Sequence, residues 1–409
     1  MLTGSGAECQ LRALIGILVP FTLPPTVFPT LAAYCADRRA SRPPTWTRSL
    51  RLDVPVRDVT RWGPIIAPLT AGLSFLSGDD WRLTTRQGTW PQQVVGASGE
   101  PVDAVCLFSG GLDSFTGALD LLAEGKRVCL VSHYEGGPAP AVQLRLARRL
   151  RQRFGAQKVA LRTLFLRPAP AASGQARPLP QARESSTRSL LFLAAGLTVA
   201  AGYGSDVPLY IPENGFIGIN VPLTSARSGS FSTRTTHPYV MSAVERCAFE
   251  LGITNPIRNP FRLMTKGEII VACRDQDALR RWGPQTLSCA HPEASRYASR
   301  PQGNCGYCFP CLIRRSAFHH VGFDNPAEYS YDALLEDSEL TGDRGSDLRA
   351  MIPSLTRSAR PIDVLRNGPV AGEDVAAFGS VYERGRRELL SWMTAAVVSP
   401  HIRRQLPTS

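Results

Sequence analysis

The chain of 409 residues is 43% hydrophobic and 20% charged, which excludes a disordered or fibrous protein and suits about two or three globular units. Its formal net charge of +12 fits an anionic partner such as a nucleotide, an acidic protein or a nucleic acid, although arginines spread along the chain for solubility account for it equally well. Ten cysteines, six of them isolated (Cys9, Cys35, Cys106, Cys129, Cys247 and Cys273), exclude a disulfide framework and read as a reduced protein with small core thiols plus one cluster.

The apolar stretch 14–31 is interrupted by Pro20, Pro24, Pro25 and Pro29 and lacks a basic leader, so it makes a poor membrane span. The run 190–203 is too short to span and reads as a buried helix. A cytoplasmic protein with no membrane contact is expected. Residues 1–100 form an N-terminal extension of unassigned fold. Within it, 49–62 alternates in part like a strand and 88–101 reads as a linker or irregular hairpin. Trp62, Trp81 and Trp90 suggest a small core of its own or a partner surface.

From Val102 strands and helices alternate. Strands are expected at 104–108, 127–132, 159–166 and 208–211. Helices are expected at 114–123, 143–154 and 185–203, the second with a basic, solvated face. A mobile Pro- and Ala-rich loop falls at 168–180. This pattern predicts an α/β unit over 101–323, a parallel sheet flanked by helices, with ligands at the carboxyl ends of the strands. After Asn255 the pattern turns helical. Residues 324–409 form a C-terminal helical appendage ending in a helix over 374–395.

The first strand of the α/β unit runs into Ser109-Gly110-Gly111-Leu112-Asp113-Ser114. Two glycines let the backbone approach an anion and take positive φ. Successive N–H groups and the following helix N-terminus favour phosphate, and the hydroxyls of Ser109 and Ser114 are donors to its oxygens. Asp113 repels phosphate, so it holds Mg²⁺ or caps the helix. The lysine that ends a Walker loop is absent. Further on, Cys289, Cys305, Cys308 and Cys311 are spaced C-x15-C-x2-C-x2-C, which suits a closed structural Zn²⁺ site over 289–311; an Fe–S cluster is the rival.

The six-residue loop resembles the PP-loop of the ATP pyrophosphatases, whose members cleave ATP between the α and β phosphates and pass AMP to a carbonyl or carboxyl oxygen. Together with Leu287-Ser288-Cys289 and Asn304-Cys305-Gly306-Tyr307-Cys308-Phe309-Pro310-Cys311-Leu312-Ile313-Arg314, it resembles QueC, the 7-cyano-7-deazaguanine synthase family. The resemblance covers about residues 103–320. It implies the PP-loop fold with a zinc knuckle, the cofactors ATP, Mg²⁺ and Zn²⁺, and an enzyme that turns a 7-deazaguanine carboxylate into an amide and then a nitrile with ammonia. The residues 109–114 would then hold ATP. Tyr134 and Gly136 stand where the family has Tyr-Gly, and Lys266 stands at the family's lysine before a late helix. Lys266 and Arg188 are expected to neutralise phosphate charge during catalysis beside Asp113 and Ser114. Glu213 and Asn214, after the fourth strand, are expected to recognise the base, and Arg234 the substrate from a polar closing loop that also carries Arg227 and leads to His237.

QueC is short, and this chain adds about 100 residues before the core and about 85 after it. The longer build resembles the QueC-like proteins of bacterial anti-phage systems, the QatC type. It implies protein partners from the same operon; as a matter of chemistry, an acyl-adenylate accepts any well-placed amine, so an amine on a partner can replace ammonia. A tRNA-modifying PP-loop enzyme is one alternative, although no cysteine is placed as a persulfide carrier. A non-catalytic nucleotide-sensing subunit is the other. His133 is not singled out as catalytic, and His319 and His320 are not needed as metal ligands beside four cysteines.

Overall fold

The structure is a computed structural model that describes residues 28–39, 47–88, 100–134, 137–165, 187–221, 234–296, 300, 303–335, 342–358 and 360–406. It begins with α1 (Phe28–Arg39), followed by the parallel pair β1 (Ser49–Val56) and β2 (Asp80–Gln87) joined by α2 (Val59–Ser77). β1 buries Leu50, Leu52, Val54 and Val56 and turns the residues between them outward, the period of a strand covered on one face. α2 starts where the Asp58 carboxylate accepts the Arg61 N–H, and it stops at Gly78, whose φ of 73° suits a residue without Cβ.

The main sheet has five parallel strands in the order β5-β4-β3-β6-β7. They are β3 (Ala104–Leu107), β4 (Val128–Tyr134), β5 (Val159–Phe165), β6 (Leu209–Tyr210) and β7 (Ile257–Arg258). The helices between and after them are α3 (Leu112–Ala123), α4 (Ala139–Phe154), α5 (Arg188–Tyr203), α6 (Gly215–Ile219), α7 (Pro238–Glu250), α8 (Lys266–Ala272), α9 (Gln276–Trp282) and α10 (Phe309–His320). Strands step outward from β3 through β4 to β5, then the chain crosses back to lay β6 on the other side of β3. The strand order therefore reverses between β3 and β6, and the crevice above such a reversal is where open α/β sheets bind ligands.

β3 is buried on both faces, which is why it reads as an unbroken apolar run. Val105 and Leu107 join Cys129, Val131, Leu193 and Val240 on one side. Ala104, Cys106 and Phe108 join Phe115, Leu119, Leu146 and Phe318 on the other. Trp62 and Trp81 do not make a core of their own. They belong to the first of these clusters, because α2 packs on α7 and α1 on α5. A buried ionic group fastens that contact. The Arg48 guanidinium bonds Asp79 and, at 2.5 Å, Asp37. Asp37 in turn accepts from the Thr187 hydroxyl at 2.8 Å, just before α5.

After α10 come the helices Ser346–Ser354, Pro361–Leu365, Gly372–Ala395 and Pro400–Arg403. They share a third cluster with α6 and one side of α10, including Phe216, Leu312, Tyr382 and Trp392. Phe216 stacks on Tyr382 with ring centroids 5.4 Å apart.

α3 begins at Leu112, two residues before the expected start, so Asp113 and Ser114 sit in its first turn. β7 has only two residues, too few to leave a periodic trace, and it was not anticipated. Trp62 lies in α2, not in a strand. Cys35, Cys106, Cys129 and Cys273 are buried and Cys247 is partly buried. Cys9, Trp90, Gly136, Arg227 and the loop 168–180 lie outside the described residues. No helix among the described residues is long and apolar enough to cross a membrane.

Candidate functional site

The loop after β3 is built from its own hydroxyls and from three neighbours. Gly110 has φ 86°, a conformation that a Cβ would strain, and that Cβ would also stand 3.2 Å from Gln143 Cγ. Gly111, in extended backbone, is the N-cap of α3. Its N–H donates to Ser109 Oγ at 3.3 Å, and the Ser114 hydroxyl donates to the Gly111 carbonyl at 3.0 Å. The two serine oxygens are 3.2 Å apart. From α4, the Gln143 amide donates to the Ser109 carbonyl at 3.1 Å.

Asp113 does not cap its helix. Its carboxylate turns across the strand-order reversal. One oxygen forms an ion pair with Lys266, and the other accepts from Asn214 N at 3.1 Å and Asn214 Nδ2 at 2.6 Å. All three residues are buried, so the pair acts in a low dielectric with its hydrogen bonds satisfied. Lys266 is the first residue of α8, which Thr265 and Glu268 fix with a capping box. Asn214 also caps α6 by accepting the Ile217 N–H at 2.9 Å.

Beside Asn214, the Glu213 carbonyl accepts from Asn259 Nδ2 at 2.9 Å and its carboxylate accepts from the Thr236 hydroxyl at 2.5 Å. Burial pushes the Glu213 carboxyl up to about 6, with Asp113 adding to the shift and the Thr236 bond and Lys266 opposing it. Asp113, Lys266, Asn214 and Glu213 thus form one polar group at the carboxyl ends of β3 and β6.

Arg188 and Arg234 have other anchors. Arg188, at the start of α5, donates to His133 Nδ1 at 3.2 Å and to the His133 carbonyl at 3.3 Å, beside the end of β4. The buried Arg234 guanidinium donates to the Phe75 carbonyl at 3.0 Å and to Asn367 Oδ1 at 2.6 Å. It also lies 4.7 Å over the Phe75 ring. Burial lowers its pKa to about 10, still charged at neutral pH. His237 caps α7 by accepting the Tyr239 N–H, and burial, with Arg234 nearby, lowers it to about 4, so it is neutral.

The sulfurs of Cys289, Cys305, Cys308 and Cys311 all lie within 4.8 Å of one another. Two of the separations are 3.9 Å and 3.8 Å. One tetrahedral ion with Zn–S bonds of about 2.3 Å sets its sulfurs about 3.8 Å apart, so the residues fit a single Zn²⁺. A cluster of irons and sulfides would spread them further. Backbone N–H groups of Ala290, His291, Cys305 and Cys308 point at the sulfurs at 3.2–3.4 Å, which favours thiolates. Burial raises Cys305 and Cys311, so a cation is what lets four sulfurs carry charge together.

The cysteine knuckle is also bonded directly to the loop 109–114. Leu287 N donates to the Gly110 carbonyl at 2.8 Å, and Leu112 N donates to Ser288 Oγ at 3.0 Å. Ser288 lies inside the Leu-Ser-Cys string visible in the sequence, yet nothing in that string says it reaches another segment. Thr236 and Asn259 also went unnoticed, because short polar residues in loops carry no periodic signal.

No family model matches the chain, and no solved structure matches it. The chain is 30% identical over 238 residues to the 7-cyano-7-deazaguanine synthase of Syntrophus aciditrophicus, a match covering 55% of this chain and 96% of that relative. It is 28% identical over 248 residues to the synthase of the same name from Myxococcus xanthus, covering 56% of this chain and 98% of the relative. The same-named protein of Kineococcus radiotolerans is 29% identical over 243 residues, covering 55% and 97%. Little more than half of this chain accounts for nearly the whole length of each relative. On these matches the chain belongs to the 7-cyano-7-deazaguanine synthase family.

Proposed function

We propose that this chain is an ATP-dependent enzyme that adenylates the carboxylate of a 7-deazaguanine-type substrate and transfers the acyl group to an amine. One observation carries the reading: the loop 109–114 enters α3 at the strand-order reversal, and its Asp113 is tied there to Lys266 and Asn214. In the first step a carboxylate oxygen attacks the α-phosphorus of ATP, and the bond to the bridging oxygen breaks to release pyrophosphate. In the second, the amine nitrogen attacks the carbonyl carbon, AMP leaves with the carboxylate oxygen, and a proton is released. Where the amine is ammonia, the primary amide oxygen attacks a second ATP in the same way, and loss of AMP and of both N–H protons leaves a nitrile, the group named in the relatives.

Within this reading, the N–H groups of Gly110 and Gly111, with Ser109 and Ser114, bind the phosphates before the start of α3, while the Leu112 N–H stays on Ser288. Lys266 offsets charge developing on the departing pyrophosphate, and Asp113 is the candidate ligand for the Mg²⁺ that accompanies ATP. Glu213 recognises the base, since a carboxylate suits a guanine-like N–H edge, and Asn214, bonded to Asp113 and Ile217, contributes by fixing Asp113 beside it. Arg188 and Arg234 support the site from their anchors on His133 and on Phe75. The four cysteines would hold Zn²⁺, which supplies a rigid knuckle and no chemistry. A role in bacterial anti-phage defence, with an amine on a partner protein replacing ammonia, is proposed on the resemblance of the longer build to QueC-like proteins of such systems.

The test is release of AMP and pyrophosphate from Mg-ATP by purified protein with 7-carboxy-7-deazaguanine, with and without ammonia, followed by mass spectrometry of the product. AMP formation that depends on the acid and disappears in Ser114→Ala and Asp113→Ala supports the reading. ATP binding without AMP under any of these conditions contradicts it.

A further inference from the structure

The helix Gly372–Ala395 reaches back from the C-terminal region to the segment that carries Lys266. The Glu388 carboxylate receives the Thr265 hydroxyl on one oxygen and the Gly267 N–H at 3.3 Å on the other, so it brackets Lys266 from both sides along the chain. One turn earlier, Arg384 pairs with Glu268 and donates to the Leu263 carbonyl at 2.8 Å. Glu268 is the same residue whose side chain accepts the Thr265 N–H at 2.9 Å. Glu388 is buried and approaches Gly267 closely: a Cβ there would stand 2.6 Å from Glu388 Oε1 and would push the carboxylate from its place. Two residues one helical turn apart thus fasten both ends of the first turn of α8.

A short helix needs such support. α8 has seven residues, too few to be stable alone, and its first residue carries the ammonium that meets Asp113. Wherever α8 starts, Lys266 starts. We propose that Glu388, assisted by Arg384, is a positioning residue for Lys266: the C-terminal helix sets the register of α8 and through it the Lys266–Asp113 pair. The C-terminal region expected from the sequence to be an appendage then acts on the site through Thr265 and Gly267 without touching substrate. The inference rests on the proposed adenylation for its kinetic consequence, but its structural consequence can be read without substrate.

Glu388→Ala, Glu388→Gln and a control on the same helix, Arg386→Ala, separate the two. Arg386 pairs with Glu383 and donates to the Leu355 carbonyl at 2.6 Å, away from α8. The first readout is acetylation of Lys266 by acetic anhydride in the folded full-length protein, followed by mass spectrometry. Glu388→Ala raises it by about tenfold, because the buried ammonium is released to local opening; Glu388→Gln, which can still accept from Thr265, gives a smaller rise, and Arg386→Ala gives none. The second readout is AMP formation, in which Glu388→Ala lowers kcat by about tenfold with the KM for ATP within about twofold.

Unchanged Lys266 labelling in a folded Glu388→Ala protein overturns the inference, whatever the activity. Equal labelling in Glu388→Ala and Arg386→Ala does so as well, because it would indicate general loosening. If wild-type protein forms no AMP, the proposed function fails and the labelling comparison alone decides the inference.

Discussion

Lys266 and Asp113, separated by 153 positions, form an ion pair in which both side chains are almost entirely buried, at 3% and 10% exposure. A charge left alone in such a place is costly, whereas the satisfied pair is tolerable. Lys266→Met should therefore destabilise the fold by about 3–5 kcal/mol by stranding the Asp113 carboxylate. The double variant Lys266→Met with Asp113→Asn should recover a large part of that loss. Urea unfolding of the three proteins checks this; a single variant as stable as wild type would show that the pair opens to water in solution.

Glu213 gives a pH dependence with a definite sign. Its pKa is raised by burial from an ordinary 4.5 to about 6, so the folded state holds the proton more tightly than the unfolded chain. Its contribution to stability is full below 4.5 and is lost as pH rises through about 6. A shift of this size corresponds to at most about 2 kcal/mol. Unfolding free energy measured from pH 4 to pH 7 should fall less steeply in Glu213→Gln than in wild type, and equal slopes would place the titration elsewhere.

The bond from Leu112 N to Ser288 Oγ ties the loop 109–114 to the cysteine knuckle. Metal analysis should find one zinc per chain, lost in Cys308→Ser. Stripping the metal with a chelator should speed hydrogen exchange at the Leu112 amide and weaken Mg-ATP binding by about tenfold or more, because the knuckle folds with its ion. Ser288→Ala, with the metal retained, should weaken ATP binding by only about fivefold, the worth of one neutral hydrogen bond. Undiminished ATP affinity after full metal removal would mean that the loop holds its shape unaided.

The core of the α/β unit was legible because β3 is short, apolar and followed by two glycines, and because α4 and α5 carry long patterns. The cysteine ligands were legible because three of them share one turn. The destination of Asp113 was not. A carboxylate in the first turn of a helix looks like a cap, and only the strand order brings Asn214 and Lys266 beside it. The place of the N-terminal region was equally hidden, since Trp62 and Trp81 reveal that they are buried but not that they share a core cluster with Val105 and Leu107. Glu388 lies in a long amphipathic helix whose sequence indicates a buried face but not its partner.

Arg48 tests that N-terminal contact. It bonds Asp37 and Asp79, all three residues being buried, and Asp37 holds Thr187 next to Arg188. Arg48→Met should cost about 3–5 kcal/mol by removing the buried guanidinium that Asp37 and Asp79 share. Hydrogen exchange should rise at the start of α5 as well as in α1. A rise confined to α1 would mean that Asp37 does not brace α5.

The most direct test of the adenylation follows the oxygen. With 7-carboxy-7-deazaguanine labelled by ¹⁸O in its carboxylate, and with Mg-ATP and ammonia, the account predicts AMP carrying one ¹⁸O on phosphorus for each amide formed. Unlabelled AMP would contradict it, because the carboxylate would then never have been joined to the α-phosphate.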